Sequence, residues 1–283
     1  MRIALYVGNN MYPTSGNVEA TIDQLQKSPL TSPILSLLNQ SASNPSVLVY
    51  NDGGNQVFDT SGNYIGDPSW GKYINQLKSG GNINEVYLSF STNGCEYMDN
   101  LISKDRGAAA NILTYIKDNL GFNGIDLDYE GSDFTESSPI YSIAKLATEV
   151  GLPLTAAPYQ YKSNWQSWVN YVLSIGGEIS WLNLQCYAGG KSNNPGDWLD
   201  IGAPIIPGSC NSCGGPQTTC SPEDMEKLFR LWRTGEGDVS LSCWTGIPNR
   251  SPENIAGGFI WVYSSIQNDF DAYMDAVAVG LGM

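Results

Sequence analysis

The 283-residue chain contains no histidine. That excludes Ser/His/Asp and Cys/His catalysis and every zinc site that needs imidazole. Acid–base work near neutral pH is then left mainly to a carboxyl group of raised pKa, or to Tyr and Lys. Charge is also scarce: Asp, Glu, Lys and Arg make up 15% of the chain, against roughly 25% in an average soluble protein. Asn, Ser, Gly, Thr and Gln must therefore supply much of the polar surface. Basic residues number 14 against 28 acidic ones, a formal charge of −14. Such a field repels phosphate backbones and anionic lipid, which argues against nucleic acid or a membrane surface as partner, whereas a neutral polymer meets no such repulsion. No apolar run approaches the roughly 20 residues that span a bilayer. The opening stretch Met1–Gly8 reads as a strand entering a polar loop, not as a signal peptide.

Apolar residues reach 41%, enough for a substantial core. Short apolar strands alternate with helical segments along the chain. The expected strands are Ile3–Gly8, Ser46–Asn51, Glu85–Ser91, Gly124–Tyr129, Pro153–Pro158, Trp181–Tyr187, Ile201–Ile206 and Gly258–Tyr263. The expected helices are Asp105–Leu120, Pro139–Val150, Asn164–Leu173, Pro222–Trp232 and Asp269–Leu281. In the first of these, Ile112, Leu113, Ile116 and Leu120 share one face, and Gly121 follows as a stop. Pro139 and Pro222 fall in first helical turns, where proline is tolerated. Eight strands alternating with helices predict an α/β fold, a closed (β/α)8 TIM barrel, which commonly takes about 250 residues as one unit. An open doubly wound sheet is the rival, but the glycine-rich dinucleotide turn is missing after the first strand. Residues 1–283 are read as a single catalytic barrel domain, with long loops after strand two (Asp52 to about Ser69) and strand seven (Pro207–Ser221) on the C-terminal rim. Of the six cysteines, Cys210, Cys213 and Cys220 lie in the second loop, and Cys95, Cys186 and Cys243 elsewhere. Disulfide stapling of that loop is the expectation, with reduced thiols or a metal as alternatives and the pairing open.

The strongest signal is Gly124-Ile125-Asp126-Leu127-Asp128-Tyr129-Glu130. Side chains alternate in a strand, so Asp126, Asp128 and Glu130 share one face, while Leu127 and Tyr129 share the other. Like charges held close raise at least one pKa and so provide a carboxylic acid near neutral pH. Glu130 falls at the C-terminal end of strand four, where barrel enzymes place catalytic groups. Calcium loops also alternate aspartates, but they are polar and glycine-punctuated, not interleaved with Ile, Leu and Tyr.

With Asn123 in front, this segment resembles the DxxDxDxE signature of glycoside hydrolase family 18, the chitinases and endo-β-N-acetylglucosaminidases. Only the first position departs, Asn for Asp. Leu154-Thr155-Ala156-Ala157-Pro158 looks like the family's fifth strand. Asn183-Leu184-Gln185-Cys186-Tyr187 is similar to the sixth strand of its plant-type branch. Gly257-Gly258-Phe259-Ile260-Trp261 resembles its eighth, whose Trp floors the sugar site. The third strand departs from the family's Ser-x-Gly-Gly, reading Ser89-Phe90-Ser91-Thr92.

The resemblance implies retaining, substrate-assisted hydrolysis of β-1,4-linked N-acetylglucosamine in chitin or chitooligosaccharides. Glu130 would be the proton donor. Asp128 would orient the substrate's acetamido group, Asp126 would lie beneath it and share its proton, and Tyr187 would donate to the acetamido oxygen. Gln185, Trp261 and Tyr6 are the expected substrate-binding residues, while Trp70, Trp165, Trp168, Trp181, Trp198 and Trp244 are either sugar platforms or packing. The alternatives are an endo-β-N-acetylglucosaminidase acting on N-glycans, a non-catalytic chitinase-like sugar-binding protein, and a conventional two-carboxylate glycosidase. No cofactor and no metal is called for. The expected partner is an N-acetylglucosamine-containing polysaccharide or oligosaccharide, and the expected state is an extracellular monomer.

Overall fold

The computed structural model describes the chain except residues 52–53, 132–133, 214–218, 238–240, 242 and 247–253. Ten strands and nine α-helices are defined among the described residues. The strands are β1 (Arg2–Val7), β2 (Ser32–Gln40), β3 (Val47–Tyr50), β4 (Asn55–Asp59), β5 (Tyr87–Ser91), β6 (Gly124–Asp128), β7 (Leu154–Ala156), β8 (Ile179–Gln185), β9 (Ile205–Cys210) and β10 (Gly257–Trp261). The helices are α1 (Val18–Lys27), α2 (Trp70–Leu77), α3 (Thr92–Lys104), α4 (Arg106–Asp118), α5 (Pro139–Val150), α6 (Lys162–Ser174), α7 (Pro222–Thr234), α8 (Tyr263–Ile266) and α9 (Phe270–Leu281).

Eight strands close a parallel barrel in the order β1, β2, β5, β6, β7, β8, β9, β10, with β1 bonded to both β2 and β10. This is the expected (β/α)8 architecture. Its second strand is not the expected one. Ser46–Asn51 forms β3, which pairs antiparallel with the end of β2 and with β4, making a hairpin appended to the barrel. The barrel position belongs to Ser32–Gln40, where Pro33 pairs with Leu5 near the start of the strand. Proline is tolerated there but obscures the pattern, whereas the β-branched and aromatic run at 47–50 has high strand propensity wherever it lies. The seventh barrel strand also shifts, from 201–206 to Ile205–Cys210, so Pro207 lies inside β9. Part of each expected loop is therefore strand, and residues 52–53 and 214–218 of those loops lie outside the described residues.

α5 matches its expected bounds, with Pro139 in the first turn and Gly151 as a left-handed cap. The expected helix 105–120 is α4, preceded by α3, and Asp105 accepts the Ala108 N–H at 3.0 Å to start it. Ser91 caps α3 likewise through the Gly94 N–H. Side-chain oxygens of this kind satisfy N–H groups that lack helical partners.

Outward strand residues such as Leu5, Leu35, Leu88, Ile125 and Leu127 join the helices in one buried layer. Inward ones, among them Ala4, Tyr6, Ile34, Tyr87, Trp181, Ile206 and Phe259, fill the barrel. Gly208 is inward too, and a Cβ there would lie 2.1 Å from the Phe259 ring. At the N-terminal end the filling is polar. Arg2 donates to Glu85 at 2.8 and 2.5 Å, Ser32 donates to the same oxygen at 2.9 Å, and Tyr87 donates to Ser180 at 2.9 Å. The Arg2 guanidinium lies 3.9 Å above the Trp181 ring.

Cys210 pairs with Cys213 and Cys220 with Cys243, while Cys95 and Cys186 are buried and lie outside these two bridges. Among the described residues no helix is long and apolar enough to cross a membrane. Alkylation of the unreduced, denatured protein is expected to label Cys95 and Cys186 only, read by peptide mass spectrometry. Labelling at Cys220 or Cys243 would contradict the pairing.

Candidate active site

Gly124, Asp126 and Asp128 are the inward residues of β6, and each meets different surroundings. Gly124 faces the Tyr87 ring, which a Cβ would approach to 2.3 Å. Asp126 is fully buried and ringed by four donors. Its Oδ2 accepts from Ser89 Oγ at 2.6 Å and Tyr6 Oη at 3.0 Å; its Oδ1 accepts from Thr155 Oγ1 at 2.7 Å and Asn183 Nδ2 at 3.0 Å. An ionised carboxylate, an acceptor only, would be met on both oxygens by these three hydroxyls and one amide N–H. Burial pushes the Asp126 carboxyl up, and the four hydrogen bonds oppose it. No hydrogen bond joins Asp126 to Asp128 among the described contacts.

Asp128 lacks such help. Burial raises its carboxyl well above the ordinary range, and the charges of Asp126 and Glu130 raise it further. Its one described partner, Gln185 Nε2, is distant at 3.5 Å. Between the two buried carboxyls, Asp128 is thus the one whose protonated form burial favours with little hydrogen bonding to oppose it. Glu130, the expected proton donor, is exposed just beyond the end of β6. The Glu130 N–H donates to Thr92 Oγ1 at 2.9 Å. Its Oε1 lies 3.4 Å from Gln185 Nε2, whose firm bond goes to the Ala157 carbonyl at 2.9 Å. The Gln185 amide thus lies between the two carboxyl groups.

Tyr187 is buried just past β8. Its hydroxyl is raised well above its ordinary value by burial, then by Asp128 and Glu130, so it remains an O–H donor. Trp261 ends β10 and, of the eight tryptophans, is the one that is not buried. The other expected platforms, Trp70, Trp165, Trp168, Trp181, Trp198 and Trp244, are all packing residues. Tyr6 does not line the cleft either: it is fully buried, its hydroxyl is committed to Asp126, and its ring lies 4.9 Å from that of Trp261. It supports the site from beneath.

Beside Trp261 opens a cleft of about 390 Å³ bordered by Gly8, Asn9, Asn10, Ser36, Asn51 and Ser264. An adjoining hollow of about 380 Å³ shares Asn9 and Asn10 and adds Thr14, Ser15, Asn17 and Asn55. Among the described residues, no charged side chain borders either hollow. Sequence reasoning assigned no role to Ser89, Thr155, Asn183 or Thr92. The one signal for the first three was a polar residue in the middle of an otherwise apolar strand. Asn123, the departure from the family signature, ties the starts of β5 and β6 together: its Oδ1 accepts the Val86 N–H at 3.0 Å and its N–H donates to the Val86 carbonyl.

No model of a known protein family matches the sequence, and no curated protein matches it. Solved structures do match. A family 18 (GH18) chitinase from Pseudoalteromonas aurantia aligns over 99% of this chain and 100% of its own, at 18% identity and a TM-score of 0.63. The fold is that of glycoside hydrolase family 18. The catalytic domain of a family 18 chitinase from the fern Peteris ryukyuensis covers 100% of both chains at 15% identity and a TM-score of 0.61. A family 18 chitinase from Cycas revoluta, in complex with allosamidin, covers 98% of this chain and 99% of its own at 15% identity and a TM-score of 0.54. In this barrel β6 is the fourth strand, the position expected for the carboxylates.

A folded-state pKa above the unfolded value means that Asp128 subtracts stability as pH rises through and above the unfolded carboxyl range near 4. Asp128→Asn is therefore expected to raise the melting temperature at pH 7, and by less at pH 4. Thermal denaturation at both pH values checks this. A melting temperature lowered at pH 7 would contradict the protonated assignment.

Proposed function

We propose that the chain is a family 18 glycoside hydrolase that cleaves β-1,4-linked N-acetylglucosamine in chitin or its oligosaccharides, with retention and with assistance from the substrate. The observation that carries this reading is the gradient along one face of β6. It runs from a carboxylate saturated by donors, through a buried carboxylic acid, to an exposed carboxyl at the mouth. Neighbouring titratable groups whose surroundings push them apart are how acid and base roles are divided in such sites.

Glu130 must carry a proton when the leaving group departs, and Asp128 must be free to accept the acetamido N–H. Sugar entering the mouth removes water from Glu130 and brings an acetamido N–H to Asp128, which favours the carboxylate there and the acid at Glu130. Glu130 then protonates the glycosidic oxygen. The acetamido carbonyl oxygen attacks the anomeric carbon as the C–O bond breaks, giving an oxazolinium. Asp128 accepts the N–H and balances the positive charge, while the Tyr187 hydroxyl hydrogen-bonds the acetamido oxygen. Water gives a proton to the Glu130 carboxylate, attacks the anomeric carbon from the vacated side, and the ring opens with retention. Asp126 holds the field beneath, and Gln185 positions both upper carboxyl groups. Trp261 offers a ring face to the sugar, and the asparagine-lined hollows beyond it suit a neutral chain that fills hydrogen bonds without charge.

The two disulfides fit an oxidising compartment, and we place the protein outside the cell, acting on an N-acetylglucosamine polymer or oligomer.

Glu130→Gln is expected to reduce turnover of a chromogenic chitobioside by about a hundredfold or more, as loss of a general acid does, while chitooligosaccharide binding by calorimetry persists. Turnover within about tenfold of the parent would refute the donor assignment. A thiazoline analogue of N-acetylglucosamine and allosamidin are both expected to inhibit competitively. Indifference to both, together with a trapped glycosyl-enzyme, would replace substrate assistance by a protein nucleophile.

A further inference from the structure

A second surface of the molecule has the chemistry of a sugar site and lies apart from the carboxylates. After β4 the chain turns at residues 60–64 against the outer side of α4. Gly62 has φ +77°, and a Cβ there would come within 2.3 Å of the Ala108 carbonyl oxygen, so the turn lies directly on the helix backbone. Asp59 shapes the turn by accepting the N–H groups of Ser61 and Asn63, each at 2.9 Å. This seats the Tyr64 ring against Tyr115 of α4, with centroids 4.7 Å apart and planes 16° from parallel. Phe58, fully buried, carries both rings from below in edge contacts of 5.4 and 6.0 Å.

Asn111, Thr114 and Asn119 flank this pair. They share a face of the helix and its cap with Tyr115, at the three- and four-residue spacing that makes helical neighbours. All three are exposed, and none of their side chains hydrogen-bonds to the protein among the described contacts. With Asn63 they border a depression of about 410 Å³ that has no charged side chain on its wall among the described residues, a size within the roughly 300–1,000 Å³ of small-ligand sites. α4 leads into β6 from outside the barrel, and none of the residues bordering the depression belongs to the carboxylate ladder or to the hollows beside Trp261.

We propose that this depression is a second binding site for a neutral saccharide chain, one that holds the protein on its polymer while the mouth works. Sugars offer C–H faces to aromatic rings and rings of hydroxyls to amides. A rigid tyrosine pair bordered by free asparagine and threonine side chains meets both needs, whereas a phosphate or an acidic peptide would find no cation. The sugar itself, N-acetylglucosamine, rests on the function proposed above. Occupying the site raises the effective concentration of further chain at the mouth without touching the chemistry there.

The test compares the parent, Asn111→Ala/Thr114→Val/Asn119→Ala, Tyr115→Ala and Glu130→Gln in adsorption to insoluble chitin and in turnover of insoluble chitin and of a soluble chromogenic chitobioside. The triple variant changes exposed side chains with no described partners, so it decides the matter even if Tyr115→Ala fails to fold. The expected result is a loss of about threefold or more in adsorption and in turnover of the insoluble polymer, with kcat/KM on the soluble substrate within about twofold of the parent. A triple variant that adsorbs like the parent, or that loses soluble and insoluble turnover equally, overturns the proposal. Glu130→Gln separates the two readings. If it turns over like the parent, the catalytic assignment fails, and the adsorption contrast still decides the outer site on its own.

Discussion

A buried carboxylate at the axis of the barrel governs much of this structure. Left unpaired, Asp126 would be several kcal/mol out of balance with water. Here Tyr6 of β1, Ser89 of β5, Thr155 of β7 and Asn183 of β8 all donate to it. Those four strands come from the beginning, middle and later parts of the chain, so the charge is satisfied only when the barrel has closed in register. The same network fixes the height of β6 relative to its neighbours. Fully satisfied polar networks of this kind specify one arrangement, whereas half-satisfied ones favour several. Asn183 is itself oriented by Trp181, whose Nε1 donates to its Oδ1 at 2.8 Å.

Above that anchored charge, each further carboxyl group two residues along the strand meets less protein and more solvent. Asp128 is buried without comparable donors, and Glu130 emerges at the rim. One residue type at one spacing therefore gives three different groups, because a strand advances by roughly 3.3 Å per residue while its environment changes from interior to mouth.

Much of this was legible in the sequence, and for identifiable reasons. The alternation of Asp126, Asp128 and Glu130 with Leu127 and Tyr129 fixes which face each occupies, whatever the rest of the fold does. α5 was legible because proline opens it and glycine closes it. β2 was not: Pro33 and the polar residues Ser32, Ser36 and Asn39 break its pattern, while Val47–Tyr50 looks more strand-like and belongs to the appended hairpin. Ser89, Thr155 and Asn183 read as isolated polar residues, because their purpose is a shared partner on a strand that the chain order does not reveal. The resting place of the proton depends on how deeply each carboxyl is enclosed, which spacing alone does not encode. Nor does composition separate Trp261 from the seven buried tryptophans, since all are the same residue and only position on the rim distinguishes them.

The polar closure at the N-terminal end has a consequence for the carboxylates above it. Arg2, Glu85, Ser32, Tyr87 and Ser180 knit that end together beneath the buried Trp181 ring. That end of the barrel is thus filled by side chains bonded to one another. Hydron exchange with bulk water is therefore expected to be slow at the buried Asp126, which rests above this floor, and fast at the exposed Glu130.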